Sequence, residues 1–272
     1  MGETSTILWF DEPGCAEIAT AGGKGASLAS MTHAGLPVPP GFAIPASVLE
    51  MSVDAEKLRG FARARDHEAA VRLVEKTASV PDAVLEAYAR LGGQVAVRSS
   101  ASAEDSEAAS YAGQQETYLE VEGAEEVRRR VIDCWASFFS ERALFYRGEK
   151  GCLEDLRMSV VVQKMVDADK AGVAFSIHPV TRRKDRMLIE AVRGLGEQVV
   201  SGEVTPDHYV VDRKGREKKS DTPHGGVLSE DELVRLSQLA IKLEDHYGKP
   251  QDIEWAILGS DIFLLQSRPV TA

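Results

Sequence analysis

The feature that most constrains this 272-residue chain is its last stretch, residues 251–270, which reads QDIEWAILGSDIFLLQSRPV. Apolar and polar side chains alternate on both sides of Gly259-Ser260-Asp261. A period of two that flanks turn residues predicts a β-hairpin. If those three residues form the loop, Leu258 lies opposite Ile262, and this pair sets the register of the whole hairpin.

The register decides which side chains share a face. Counting back from the loop predicts Glu254 opposite Gln266, and Asp252 opposite Arg268. The other face would carry Ile253, Trp255, Phe263 and Leu265. Neighbouring oxygen ligands suit Mg²⁺, which binds a few carboxylates plus substrate phosphates, and an arginine beside them suits phosphate oxygens. A half-buried hairpin also has a polar outer face by default, so Asp252 and Arg268 read equally well as a plain cross-strand ion pair.

Charge and cysteine content argue against several classes of protein. A formal net charge of −11 at pH 7 does not suit a nucleic-acid binder or a binder of anionic membranes, because both need basic surface. Cys15, Cys134 and Cys152 form no CxxC pair, so neither a disulfide framework nor a zinc site is predicted. With no secretory signal and no long apolar run, we expect a cytoplasmic protein that does not span a membrane.

A glycine-rich segment around Lys24 has the composition of an anion-binding loop. Residues 21–27, AGGKGAS, place three glycines around this lysine ahead of a predicted helix at residues 26–34. Glycines let the backbone approach a ligand, the helix start offers N–H groups, and Lys24 adds a charge. The spacing is not that of a Walker A loop, because Ile18 stands where that motif has glycine. A flexible turn with a solvated lysine explains the segment equally well.

Two further stretches combine predicted strands with polar groups. A strand at residues 94–100 ends in Arg98 and two serines, and a loop of small residues returns into a second strand at 118–121. Such a loop can lay backbone N–H groups over a phosphate tail, although an ordinary surface loop fits too. Gln163 interrupts the apolar strand 158–166 and needs a partner if buried, which a nucleobase edge or a backbone group would supply.

Seven stretches between residues 21 and 271 occur in the order of one known family. They are GGKGASLASMTHAGLPVPPGFAI, VAVRSSASAEDSEAASYAGQQETYLEV, SFFSERALFYR, VVVQKMV, GVAFSIHPVT, GLGEQVVSGEVTPD and DIEW with LLQSRPVT. The chain therefore resembles the N-terminal ATP-binding domain of phosphoenolpyruvate synthase, pyruvate phosphate dikinase and rifampicin phosphotransferase. The resemblance implies an α+β ATP-grasp fold whose two lobes carry mixed or antiparallel sheets and clamp ATP.

The resemblance also implies lobes and residue roles. We expect residues 1–150 to carry the phosphate-binding loops, and residues 151–272 to carry the adenine hinge and the metal-binding hairpin. Lys24 and Arg98 would hold ATP phosphates, and Arg268 would stabilise the transferring phosphate, which is the main catalytic device in phosphoryl transfer. The other implied contacts are Gly113, Gln114, Gln115 and Thr117 over the phosphate tail, Gln163, Met165 and Val166 at the adenine, and Glu254 and Gln266 at Mg²⁺, with Asp252 nearby.

Two sequence features that the family's full reaction requires are not recognised in this chain. The larger enzymes carry a phosphorylated histidine in a Thr-Ser-His-Ala type motif, and none of the six histidines here has that setting. No phosphoenolpyruvate/pyruvate barrel is recognisable, and residues 46–93 are shorter than in the family. We therefore expect an ATP-dependent phosphotransferase module that passes a phosphoryl or pyrophosphoryl group to a histidine on a partner domain or subunit. A stand-alone kinase of a small-molecule acceptor and a non-catalytic ATP-binding module stay open as alternatives.

Overall fold

A computed structural model of the chain describes residues 5–101, 116–196 and 204–270. The chain forms two compact units, of which the first contains residues 1–33 and 40–165 and the second contains residues 34–39 and 166–272. Each unit is built on one sheet, and every strand pairing in the described ranges is antiparallel. The predicted α+β class is confirmed. In the same ranges no helix has the length and apolar character needed to cross a membrane.

The first unit surrounds a five-stranded sheet of order β1-β2-β5-β3-β4. Its elements are β1 (Leu8–Trp9), a 3₁₀ turn (Pro13–Ala16), α1 (Ile18–His33), β2 (Gly41–Ile44), α2 (Ala46–Ser52), α3 (Ala55–Ala64), α4 (His67–Thr77), α5 (Asp82–Leu91), β3 (Val95–Ala101), β4 (Thr117–Val121), α6 (Ala124–Ser137), α7 (Glu141–Glu149) and β5 (Met158–Lys164). Val160 and Val162 join a core with α2 to α7. Val161 points to the other face, where it lies beside Gly25 of α1. The sheet therefore separates α1 from the main core.

The second unit contains a six-stranded sheet of order β11-β10-β6-β7-β8-β9. Its elements are β6 (Lys170–Phe175), β7 (Arg186–Arg193), β8 (Asp207–Asp212), β9 (Glu217–Asp221), α8 (Glu230–Tyr247), β10 (Gln251–Leu258) and β11 (Asp261–Pro269). Helix α8 packs on β10 and β6. The segment 34–39 belongs to this unit, and its Pro37 carbonyl accepts a 2.8 Å hydrogen bond from the N–H of Leu264 on the edge strand.

Local sequence signals fix where several helices begin. The side chains of Asp54, Asp66 and Ser140 each accept a hydrogen bond from the backbone N–H three residues later, at the starts of α3, α4 and α7. Ser229 and Glu232 form a reciprocal capping box at the start of α8. Because these oxygens satisfy N–H groups of the first turn, the helices begin where the sequence supplies Asp or Ser.

The predicted lobe boundary between residues 150 and 151 differs from this division. Strand β5 follows that boundary in sequence, yet it lies in the middle of the first sheet, between β2 and β3. The first unit therefore continues to Met165, where the backbone N–H still donates to the carbonyl of Gln94 at 3.0 Å. The second unit resumes at Val166.

Strands β10 and β11 form the predicted C-terminal hairpin. Its loop is one residue shorter than predicted, and a bulge in β11 compensates for this difference. Leu258 pairs with Asp261 and not with Ile262, so only Gly259 and Ser260 form the loop. The shift of one residue is then removed by a bulge at Leu265. Beyond the bulge the strands regain the predicted register.

The bulge also changes the faces of the hairpin. Trp255 pairs with Leu264, and Phe263 pairs with Ala256. Because directly opposed residues share a face, the predicted placement of Phe263 beside Trp255 is wrong. Phe263 and Leu265 instead pack in a small apolar cluster with Val166, Ala171 and Ala256, with Ala168 at its edge.

Candidate functional site

The glycine-rich segment lies inside α1, where the helix is broken. Gly22 has φ +70° and ψ 176°, so the helical turns before and after it are separate. A Cβ at this position would lie 2.1 Å from the carbonyl oxygen of Ser100, and the positive φ itself favours glycine. The helix therefore restarts directly before Lys24, somewhat earlier than the residue 26 that the sequence predicts.

Lys24 is buried, with 7% of its surface exposed, and is held against the end of β3. Its Nζ donates to the Ser99 carbonyl at 3.1 Å. The hydroxyl of Ser100 accepts from the Gly25 N–H at 3.2 Å and donates to the Ala21 carbonyl at 2.9 Å. Sequence reasoning identified Lys24 but missed the two serines, although their place directly after Arg98 was visible.

Arg98 and Gln163 lie on one face of the first sheet. Arg98 on β3 is opposite Thr117 on β4 and Val161 on β5, and Gln163 is opposite Ala96, two residues before Arg98. Opposed residues, and residues two apart on a strand, share a face. Both side chains are buried, with 8% and 3% of their surface exposed. The structure thus brings Arg98, Thr117 and Gln163 to one face of the sheet. Helix α1, which contains Lys24, packs on the same face.

The predicted loop over the phosphate tail is described only at its end. Gly113, Gln114 and Gln115 lie outside the described residues. Where the chain resumes, the carbonyl of Glu116 accepts hydrogen bonds from both the N–H (3.0 Å) and the hydroxyl (3.3 Å) of Ser99. The end of this loop is therefore attached to the residue whose own carbonyl holds Lys24.

The hairpin of the second unit brings together the residues predicted to bind metal. Glu254 is opposite Gln266, and Asp252 is opposite Arg268, so all four side chains share one face. Arg268 Nε donates to Asp252 Oδ2 at 2.9 Å. Burial raises the pKa of the Asp252 carboxyl above its ordinary value, and Arg268 opposes that rise.

Sequence reasoning missed two polar residues that extend this face. Val173 on β6 is opposite both Glu254 and Glu190 of β7, and Glu190 is opposite His208 of β8. His208 Nδ1 lies 3.0 Å from the Glu190 carboxylate. Burial raises the pKa of Glu190, and the neighbouring His208 opposes the rise. No local pattern marks Glu190, because only the pairing of four strands puts it in this row.

The oxygen groups on this face fit a cation that also binds a substrate. No group of three or more Asp, Glu, His or Cys side chains within the described ranges is arranged to hold a metal ion. Glu254 and Gln266 provide one carboxylate and one amide oxygen. Such a partial set suits Mg²⁺, which takes its remaining ligands from water and phosphates. The apolar cluster around Ala256 lies on the same face, because Ala256 is two residues along β10 from Glu254.

These features define an α+β domain with buried Lys24 and Arg98 in the first unit and a row of polar side chains on the hairpin of the second unit. The profile of the family described as "Pyruvate phosphate dikinase, AMP/ATP-binding domain" matches residues 18–225 and 214–272. The chain belongs to this family, as the sequence motifs predicted, and the predicted ATP-grasp type of fold is confirmed with it.

Full-length relatives are named phosphoenolpyruvate synthases. Probable phosphoenolpyruvate synthases of Methanothermobacter thermautotrophicus and Archaeoglobus fulgidus are 40% and 42% identical over 97% of this chain, which covers 46% and 41% of their own lengths. The phosphoenolpyruvate synthase of Pyrococcus furiosus is 36% identical over 97% of this chain and 44% of its own length. The chain therefore spans less than half the length of these relatives.

Proposed function

We propose that this chain binds ATP with Mg²⁺, cleaves it, and passes a phosphoryl or pyrophosphoryl group to a histidine on a partner domain or subunit. The observation that carries the proposal is the burial of two cations, Arg98 on the first sheet and Lys24 on the broken helix α1 that packs on it. Cationic side chains beside a helix start favour the binding of phosphate oxygens, because the charges and the helix dipole both attract anions. The names of the relatives agree with this chemistry.

In this proposal each unit has its own task. Lys24 and Arg98 hold phosphate oxygens in the first unit. In the second unit Glu254 and Gln266 hold Mg²⁺, Asp252 orients Arg268, and Arg268 stabilises charge on the transferring group. Bound Mg²⁺ would neutralise phosphate charge. The adenine would contact Gln163 and the backbone at Met165 and Val166.

The attacked phosphorus determines the products. If a histidine nitrogen attacks the β-phosphorus, an N–P bond forms, the bond from that phosphorus to the α-phosphate oxygen breaks, and AMP leaves. If it attacks the γ-phosphorus, the bond to the β-phosphate oxygen breaks and ADP leaves. Membership of the dikinase family favours a histidine acceptor over a free small molecule.

Titration calorimetry with Mg-ATP tests the site. We expect Lys24→Ala and Glu254→Ala each to weaken binding at least about tenfold, because each removes a charged contact to phosphate or metal. Lys57→Ala on α3 and Glu217→Ala on the exposed strand β9 are matched charge controls that should bind as the wild type does. Wild-type affinity in both site variants would contradict the assignment.

Product analysis tests the reaction and separates the alternatives. The chain is incubated with Mg-ATP, alone and with the remainder of the Pyrococcus furiosus relative that follows the matched region. AMP that forms only with that remainder supports a partner histidine. ADP formed with a small-molecule acceptor alone would support a stand-alone kinase, and tight binding without turnover under any condition would support a non-catalytic module.

A further inference from the structure

We propose that Ser100 is a positioning residue for the phosphate-binding segment, residues 21–25. Its hydroxyl would set the backbone of this segment, and through it the place of Lys24. The inference rests on the proposed function, because it concerns how well the segment holds a phosphate chain. It adds a residue that acts through its neighbours and not by contact with the nucleotide.

The geometry encloses the segment from both ends. The Ser100 side chain is fully buried, and its hydroxyl donates to the Ala21 carbonyl at 2.9 Å while it accepts from the Gly25 N–H at 3.2 Å. The two bonds flank Gly22, Gly23 and Lys24. One hydroxyl therefore closes a bridge across the helix break and caps the helix that restarts there.

The segment packs closely against Ser100, so the hydrogen bonds of the Ser100 hydroxyl hold it in one position. Gly22 lies so near Ser100 that a Cβ built on it would be 2.1 Å from the Ser100 carbonyl oxygen and 2.3 Å from the hydroxyl. The adjacent Ser99 carbonyl accepts from Lys24 Nζ at 3.1 Å. If the Ser100 hydroxyl is removed, the Ala21 carbonyl and the Gly25 N–H lose these two buried hydrogen bonds, and the segment is free to shift relative to Ser99. The lysine charge then shifts with it.

A neighbouring serine supplies a matched control. Ser159 lies directly opposite Ser100 on β5 and is also buried. Its hydroxyl donates to the Thr20 carbonyl at 2.7 Å, so it binds the same helix just before the segment. Ser159→Ala therefore removes a hydrogen bond between a buried serine and the same helix without releasing residues 21–25.

The experiment measures dissociation constants for Mg-ATP and for adenosine, with thermal unfolding of each variant. We expect Ser100→Ala to weaken Mg-ATP binding about tenfold and adenosine binding less than about twofold, because a displaced Lys24 would lose a hydrogen bond to phosphate, which is on the order of a tenfold change. Ser159→Ala should change both dissociation constants by less than about twofold. It should lower the unfolding temperature, as Ser100→Ala should also do. Ser100→Cys keeps the side-chain size with a weakly hydrogen-bonding sulfur, so it should show the same phosphate-specific loss if Ser100→Ala does not fold.

Three results would overturn the inference while wild-type binding stands. They are an unchanged Mg-ATP constant in the folded Ser100 variants, an equal loss for adenosine and Mg-ATP, and an equal loss in Ser159→Ala. A wild-type chain that binds no Mg-ATP would instead overturn the proposed function, and the inference with it.

Discussion

Asp207 shows how one buried carboxylate organises a loop. Its oxygens accept hydrogen bonds from the backbone N–H groups of His224 (2.7 Å), Gly226 (3.0 Å) and Val227 (2.8 Å). Burial alone would raise the pKa of this carboxyl, but the three backbone donors outweigh burial and lower the pKa below its ordinary value of 3.8. The ionised form is therefore the one that stabilises the fold.

Replacing Asp207 by Asn should destabilise the chain in a pH-dependent way. We expect a loss of about 2 kcal/mol near neutral pH, because the amide group presents donors where three backbone N–H groups already point. A depressed pKa contributes stability that is present above the ordinary value and is lost as pH falls through the folded pKa. The gap between wild type and variant, measured by urea unfolding, should thus shrink below the ordinary value of 3.8. Asp221→Asn on the exposed strand β9 is the control, and a gap independent of pH would contradict the prediction.

Arg268 tests whether geometry or charge matters in the hairpin. Its guanidinium is oriented by the 2.9 Å bond to Asp252. Arg268→Lys keeps the charge but loses the planar donors that match phosphate oxygens. We expect phosphoryl transfer to fall about 100-fold while the dissociation constant of Mg-ATP changes less than about threefold. The surface substitution Arg216→Lys should leave both unchanged, and equal transfer rates for Arg268→Lys and wild type would show that charge alone suffices.

At the scale of elements, the break in α1 depends on one glycine. Gly22 and Gly35 both have a positive φ, +70° and +68°, but a Cβ at Gly35 meets nothing within 4 Å. Gly35→Ala should therefore cost about 1 kcal/mol from backbone strain alone. Gly22→Ala should cost at least about 3 kcal/mol, since its Cβ overlaps the backbone of Ser100. Denaturant unfolding of the pair measures the difference, and equal losses would mean that the contact with Ser100 relaxes freely.

The hairpin shows what strand counting can and cannot predict. Alternation along the chain predicted the pairs of Glu254 with Gln266 and Asp252 with Arg268, and both are confirmed. Alternation did not predict the loop length or the bulge at Leu265, because a bulge depends on which residues pack beside the strand. Leu265 contacts the apolar cluster, whose members come from three other parts of the second unit.

Long-range contacts account for the residues that were missed in the candidate site. Lys24 and Ser99 are 75 positions apart in sequence, and so are Gly25 and Ser100. Composition around Lys24 was enough to suggest anion binding. Nothing near it in sequence reveals which strand end supports it, because strand pairing and the packing of α1 decide that.

At the scale of the whole molecule, each of the two units is formed from two separate ranges of the chain and not from one continuous half. The boundary that the resemblance implied, between residues 150 and 151, follows directly after α7. The next strand, β5, nevertheless completes the first sheet, and residues 34–39 leave the first unit to join the second. Hydrogen bonds between distant strands, which composition does not reveal, set the division.

This path makes a prediction for the second unit alone. Strand β11 lies at the edge of its sheet, and the N–H of Leu264 is satisfied by Pro37 from the early segment 34–39. A recombinant chain of residues 166–272 should therefore be less stable than one with residues 34–39 joined to it by a flexible linker. We expect the free energy of unfolding in urea to differ by about 1 kcal/mol, because an uncovered strand edge loses a hydrogen bond and favours association. A Gly/Ser segment of equal length is the control. If it stabilises the fragment as much as the native segment does, the linker and not the Pro37 contact is responsible.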